Sequence, residues 1–253
     1  MRKVAKMFAV LTVGLFVLTG CMPAGTRPPS QDINLVQFET PADDQEMAVV
    51  ETNYGTIKFV LYEEYAPETV KQFKQLVEEG FYENNPIYAV DHTATAMLAG
   101  ATDSEGEEGK TTTKDGKGIK TETSSDLWHF PGAVSALGEE TGITKSIRSD
   151  SRFFIIGNSS ADAETLEQME ESNYPETVIS AYKEHGGQPL YTGQYTIFGQ
   201  VVEGLDVVDQ IIQVPTQKDE NGEDTFTPSE ELVIYSITLT TYGEGMNQSQ
   251  TQE

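Results

Sequence analysis

Between residues 49 and 240 the chain is cut into short apolar runs, several of period two, closed at brief intervals by Gly, Asn or Pro. That punctuation restricts it to a sheet folded back on itself. Val49 and Val50 lead into Thr52-Asn53-Tyr54-Gly55, after which Ile57, Phe59 and Leu61 alternate with Lys58, Val60 and Tyr62. Asn and Gly supply the turn of a hairpin. Further strands are predicted over 133–137, 152–156, 195–202 and 232–240. Two helical patterns stand apart. Pro67 occupies a first helical position, Val70, Phe73, Leu76 and Val77 share a face, and Gly80 closes the turn. Asp206 is placed to cap a second helix carrying Val207, Val208, Ile211 and Ile212. The expected fold is mainly β, a closed antiparallel barrel with two capping α-helices.

The N-terminus carries a different message. Arg2, Lys3 and Lys6 precede an apolar run over 7–18, which is shorter than the roughly 20 residues a membrane span needs and reads as a secretion signal. It ends in Leu18-Thr19-Gly20-Cys21, which resembles the bacterial lipobox. That likeness implies removal of residues 1–20 and a lipid anchor on Cys21; the competing reading is an ordinary cleaved signal. Cys21 is the only cysteine among 253 residues, so it forms no disulfide within the chain. The expected location is the extracytoplasmic side of a cell membrane. Loss of the signal leaves 13 basic against 41 acidic residues, a formal charge of −28. Such a chain is repelled by nucleic acid and by anionic lipid, so membrane contact falls to the lipid alone. Residues 21–46 are polar and Pro-rich and read as a flexible tether, 243–253 as a disordered tail, and 47–242 as one domain. Within it, the Gly- and Thr-rich stretch 102–126 is expected to be an extended surface loop. An insertion over about 157–194 is expected to hold helices at 163–171 and 175–185, stopped by Gly186-Gly187.

In order and spacing, several motifs resemble the cyclophilin-type peptidyl-prolyl cis-trans isomerases. They are Gly55-Thr56-Ile57, Ala66-Pro67-Glu68-Thr69-Val70 with Phe73, Gly80-Phe81-Tyr82, Ile87-Tyr88, and His129 ahead of Gly132-Ala133-Val134-Ser135. Ser151-Arg152-Phe153-Phe154-Ile155 and Phe198-Gly199-Gln200-Val201-Val202-Glu203-Gly204 with Val208 complete the series. The resemblance implies a cyclophilin-like barrel and catalysis of rotation about X-Pro bonds, whose barrier of roughly 18–20 kcal/mol comes from amide resonance. No covalent step and no cofactor are called for. An apolar pocket holds the proline ring, and an arginine stabilises the twisted amide.

At that site the sequence departs from its relatives. The family's Phe-His-Arg-Val and Phe-Met-x-Gln-Gly become the stretch Tyr88–Gly100, so the arginine falls on Val90 or Asp91, the phenylalanine on Ala96 and the glutamine on Ala99. By the resemblance, Met97, Phe154, Leu190 and Tyr195 are the substrate-binding residues, with Phe154 as the pocket floor. Arg152 stands where the family has a glutamine close to the missing arginine, and residues 152 and 154 share a strand face. Two readings follow. Arg152, with Phe154 beside it, serves as the catalytic donor, or it pairs with a neighbouring acid such as Asp150. His92, His129 and His185 lack the spacing of a metal site.

Three functions are compatible with these residues: a membrane-anchored isomerase assisting secreted or surface proteins, a silent cyclophilin-fold module binding proline-containing segments, and a transporter's substrate-binding lipoprotein. The first is favoured; a single barrel has no second lobe to close over a transported ligand. Proline-containing segments are the expected partners, and the chain is expected to be monomeric.

Overall fold

The structure, a computed structural model, describes residues 33–141 and 146–249; the proposed signal and Cys21 lie outside them. The chain opens with β1 (Glu46–Thr52) and β2 (Gly55–Leu61), joined by the two-residue loop Asn53-Tyr54, and continues into α1 (Pro67–Glu78). Then come β3 (Asn85–Asp91), β4 (Ala96–Ala99), the short β5 (Ile119–Lys120), β6 (Ala133–Thr141) and β7 (Ser146–Ile156). The insertion carries α2 (Ala163–Glu171) and α3 (Glu176–His185). After it follow β8 (Thr196–Glu203), α4 (Leu205–Ile212), β9 (Thr216–Lys218), β10 (Asp224–Pro228), β11 (Val233–Thr241) and α5 (Tyr242–Ser249).

Eight of these strands form the ring β4-β3-β11-β1-β2-β8-β6-β7, which closes where β7 pairs with β4. All pairings are antiparallel, and β5 adds to the far end of β7. The seam between β3 and β11 is short, holding only the register pairs Val233↔Pro86 and Ile234↔Asn85. Alternation sends Ile57, Phe59, Val90, Met97, Val134, Phe153, Ile155 and Phe198 to the interior. There Phe59, Phe73, Phe153 and Phe198 meet at 5.3–6.5 Å between ring centroids. Helices α1 and α4 add Val70, Phe73 and Leu76 and Val208, Ile211 and Ile212 to this core. Gly204, at a φ of 86°, precedes α4, so Asp206 lies in the first helical turn rather than at the cap.

Three stretches expected to be loose are packed. Residues 34–46 are not a free tether: Gln37 is buried, donating to Gln200 Oε1 (2.7 Å) and accepting the Trp128 N–H (2.6 Å), and Phe38 lies over Phe130 and His185. The tail is helical through Ser249, and the buried Lys58 ammonium donates to its Gly245 carbonyl at 3.0 Å. The stretch 102–126 wraps the barrel instead of extending from it. Its Thr111 hydroxyl and Thr112 N–H donate to Gln72 Oε1, and its Lys110 N–H donates to Ser151 Oγ. From the same stretch Glu122 accepts from the Glu68 N–H, the Thr69 N–H and the Thr69 hydroxyl at 3.1, 2.9 and 2.7 Å. It thereby caps α1, whose own N-cap residue Ala66 has no side chain able to do so. The polar side chains of this stretch stay exposed or half-buried, as the composition implies; what composition does not report is the set of hydrogen bonds that ties the stretch to the barrel.

Candidate active site

Along β7 the period of two sends Phe153 and Ile155 inward and Phe154 outward. Register then fixes a row across the outer face, Ala89–Leu98–Phe154–Ser135–Ile197, from β3 through β4, β7 and β6 to β8. Phe154 is only 3% exposed, because an aromatic wall stands over it. Tyr195 meets it edge-on at 5.1 Å, Tyr191 edge-on at 5.8 Å, and the His129 ring stacks on it at 6.1 Å and 11°. Contacts of this kind stabilise by about 0.5–1.5 kcal/mol each beyond the area they bury.

The wall is positioned by the end of the insertion. Gly187, at a φ of 115°, has its Cα against the His129 backbone, where a Cβ would come within 2.3 Å of the carbonyl oxygen. The Gln188 N–H then donates to the His129 carbonyl (2.8 Å), and Gln188 Nε2 donates to the Ala94 carbonyl (2.9 Å). A single 3-10 turn, Pro189–Tyr191, follows and delivers Tyr191; Tyr195 precedes β8. Beyond Tyr195 lies a shallow cleft lined by Tyr65, Glu122, Leu127, His129 and Ile197. His129 is fully buried with neither ring nitrogen hydrogen-bonded, and burial pushes its pKa down to about 3, so it is neutral.

Arg152 corrects an expectation. It shares the outer face with Phe154, yet its guanidinium turns into a cluster of its own and is 5% exposed. Nε and Nη2 hold the two carboxylate oxygens of Asp150 at 3.0 and 2.7 Å, Nη2 also meets Glu139 Oε1 at 2.7 Å, and Nη1 donates to the Gly106 and Glu107 carbonyls at 3.0 and 3.2 Å. Five donors thus have five partners, which leaves none for a prolyl amide. Burial alone would weaken its hold on the proton; the Asp150 hydrogen bonds and the charges of Asp150 and Glu139 reverse this to a net rise. Gly106, at a φ of 72°, closes the cluster over the Tyr88 ring, where a Cβ would sit 2.2 Å away.

The other assignments divide. Met97 faces the barrel interior, not the groove, because Ala96 and Leu98 take the outward positions of β4. Of the two positions considered for the family arginine, Val90 is also interior, and the Asp91 carboxylate accepts the Thr93 and Ala94 N–H groups at 2.8 and 2.9 Å. The outward residue in the row is Ala89, displaced by a bulge between Ile87 and Ala89 that the sequence does not reveal. Leu190 is 49% exposed on the 3-10 turn, while its neighbour Tyr191, which sequence reasoning missed, turns onto Phe154. The one available signal was the pair of tyrosines four residues apart at the end of the insertion. Among the described residues no group of three or more His, Cys, Asp or Glu side chains converges as a metal site.

The family described as cyclophilin-type peptidyl-prolyl cis-trans isomerase/CLD matches residues 47–238. A putative peptidyl-prolyl cis-trans isomerase of Staphylococcus saprophyticus is 28% identical over 190 residues, covering 70% of this chain and 87% of that one. A second, from Staphylococcus aureus, is 26% identical over 214 residues, covering 81% and 97%. A putative bifunctional phosphatase/peptidyl-prolyl cis-trans isomerase of Streptococcus pyogenes is 28% identical across 74% of this chain and 37% of its own length. Among solved structures, a cyclophilin of Cryptosporidium parvum aligns with a TM-score of 0.58 at 21% identity, covering 78% and 98% of the two chains. It has also been crystallised in the presence of the dipeptide Ala-Pro. An eight-strand closed barrel and a family match over residues 47–238 agree, and the chain belongs to the cyclophilin-type peptidyl-prolyl cis-trans isomerase family.

Proposed function

We propose that the chain catalyses cis-trans isomerisation of X-Pro bonds in segments of secreted or surface proteins, held outside the cell membrane by lipid on Cys21. The observation that carries the isomerase reading is the apolar site floored by Phe154 and walled by Tyr191, Tyr195 and the neutral His129. A proline ring is apolar and rigid and suits such a surface. Desolvation there disfavours the charge-separated resonance form that keeps the amide planar, so the twisted state gains. Uncatalysed isomerisation takes tens of seconds and limits folding, which gives an isomerase outside the membrane its use. The anchor rests on the basic N-terminus and Leu18-Thr19-Gly20-Cys21.

Exchange NMR on an Xaa-Pro peptide tests the chemistry: acceleration by the chain and its loss in Phe154→Ala are expected, and no acceleration by folded protein would refute it. Metabolic labelling with a fatty acid tests the anchor; label on the wild type and none on Cys21→Ala is expected. A second reading, a silent module that only binds proline segments, is favoured by the absence of a donor at Ala89 and by the saturated Arg152. Losing one preorganised donor costs on the order of 100- to 1000-fold in rate. Peptide binding without exchange would select that reading.

A further inference from the structure

With alanine at the outward position of β3 and Arg152 fully engaged, a donor for the prolyl amide has to come from elsewhere on the groove wall. Tyr191 meets the requirement. Its ring stands edge-on to Phe154 at 5.8 Å and to His129 at 5.9 Å, with Tyr195 at 5.5 Å. The Gln188–Ala94 hydrogen bond pins its turn to the β3–β4 connection, the side of the groove where the family arginine is missing. Burial first, then the negative charge of Asp91, holds its phenol above the ordinary value, so it keeps its proton. Tyr191 is half-buried, and its hydroxyl has no hydrogen-bond partner among the described residues. The other tyrosines are placed less well. The Tyr88 hydroxyl is buried under Gly106, and Tyr195 lines the cleft with Tyr65 and Leu127, a lining that includes no residue of β3 or β4.

We propose that the Tyr191 hydroxyl is the catalytic donor of this chain, hydrogen-bonding the prolyl nitrogen as the amide twists and its lone pair localises. The assignment rests on the isomerase reading above. No bond is made or broken, and the phenol keeps its proton throughout. A neutral donor is weaker than a guanidinium, so the expected rate is modest.

The test is Tyr191→Phe, which keeps the ring and its contacts with Phe154 and His129. By exchange NMR on an Xaa-Pro peptide, kcat is expected to fall roughly tenfold, as for one hydrogen bond made in the transition state, with KM changed less than twofold. Tyr235→Phe, exposed on β11, is expected to keep the wild-type rate. A wild-type kcat in Tyr191→Phe, or a loss that appears only in Tyr195→Phe, overturns the donor assignment and leaves the isomerase standing. A wild-type chain without acceleration overturns both.

Discussion

Arg152, two residues before Phe154 on β7, and His129, stacked on the Phe154 ring, are both buried polar groups, and they differ in how their polar atoms are partnered. Arg152 has a partner for every donor, so Arg152→Ala strands Asp150, part of Glu139 and two carbonyls. Breaking a buried pair from one side costs about 3–5 kcal/mol, and a urea melt should register that loss. Neither ring nitrogen of His129 has a hydrogen-bond partner among the described residues. Its folded pKa of about 3 lies below the unfolded value of 6.5, so the unfolded chain binds the proton first as pH falls. Its contribution to stability is complete above pH 6.5 and declines from there toward pH 3, at up to about 1.4 kcal/mol per pH unit. His129→Phe should flatten that part of a stability-pH curve. In the sequence, resemblance assigns Phe154 to the groove, and alternation adds only that it shares a strand face with Arg152. The resemblance fails for the arginine position, because one bulge in β3 shifts which residues face out, and for Met97, which falls on the inward parity of β4.

Elements were more legible where hydrophobic periodicity and stop signals coincide. Helix α2 occupies 163–171 as expected, and α3 begins one residue later than expected and stops at Gly186. Strand β6 runs beyond the expected 137 to Thr141 and β7 begins at Ser146, ahead of the expected 152, because the largely polar segments 138–141 and 146–149 are held by pairing rather than by apolar burial. The stretch 102–126 was misread for a related reason: its side chains and amides bond to barrel groups distant in sequence, which no local pattern reports. Glu122 is the clearest case, since it caps a helix that begins 55 residues earlier. Glu122→Ala is expected to cost about 1–2 kcal/mol, read as a lowered denaturation midpoint, with slower loss of the same helix in a Glu122→Gln variant that keeps an acceptor.

At the level of the whole molecule the excess of acid dominates. A formal charge of −25, or −28 without the first 20 residues, repels itself in the folded state more than in the expanded one. Raising sodium chloride from 0.01 to 0.5 M shortens the screening length from about 30 Å to a few Å. The melting temperature should therefore rise with salt; a fall would mean that ion pairs such as Lys58–Glu203 and Lys74–Glu46 outweigh the repulsion. The closed ring itself is not sewn evenly. Where β1 and β11 share seven register pairs, β3 and β11 share two, one of them through Pro86, which has no N–H to give. Under tension or on slow thermal opening, that seam is where the barrel tears first. Because β3 stays paired with β4 and β4 with β7, the row Ala89–Leu98–Phe154 would move as one piece while the ring parts from β11.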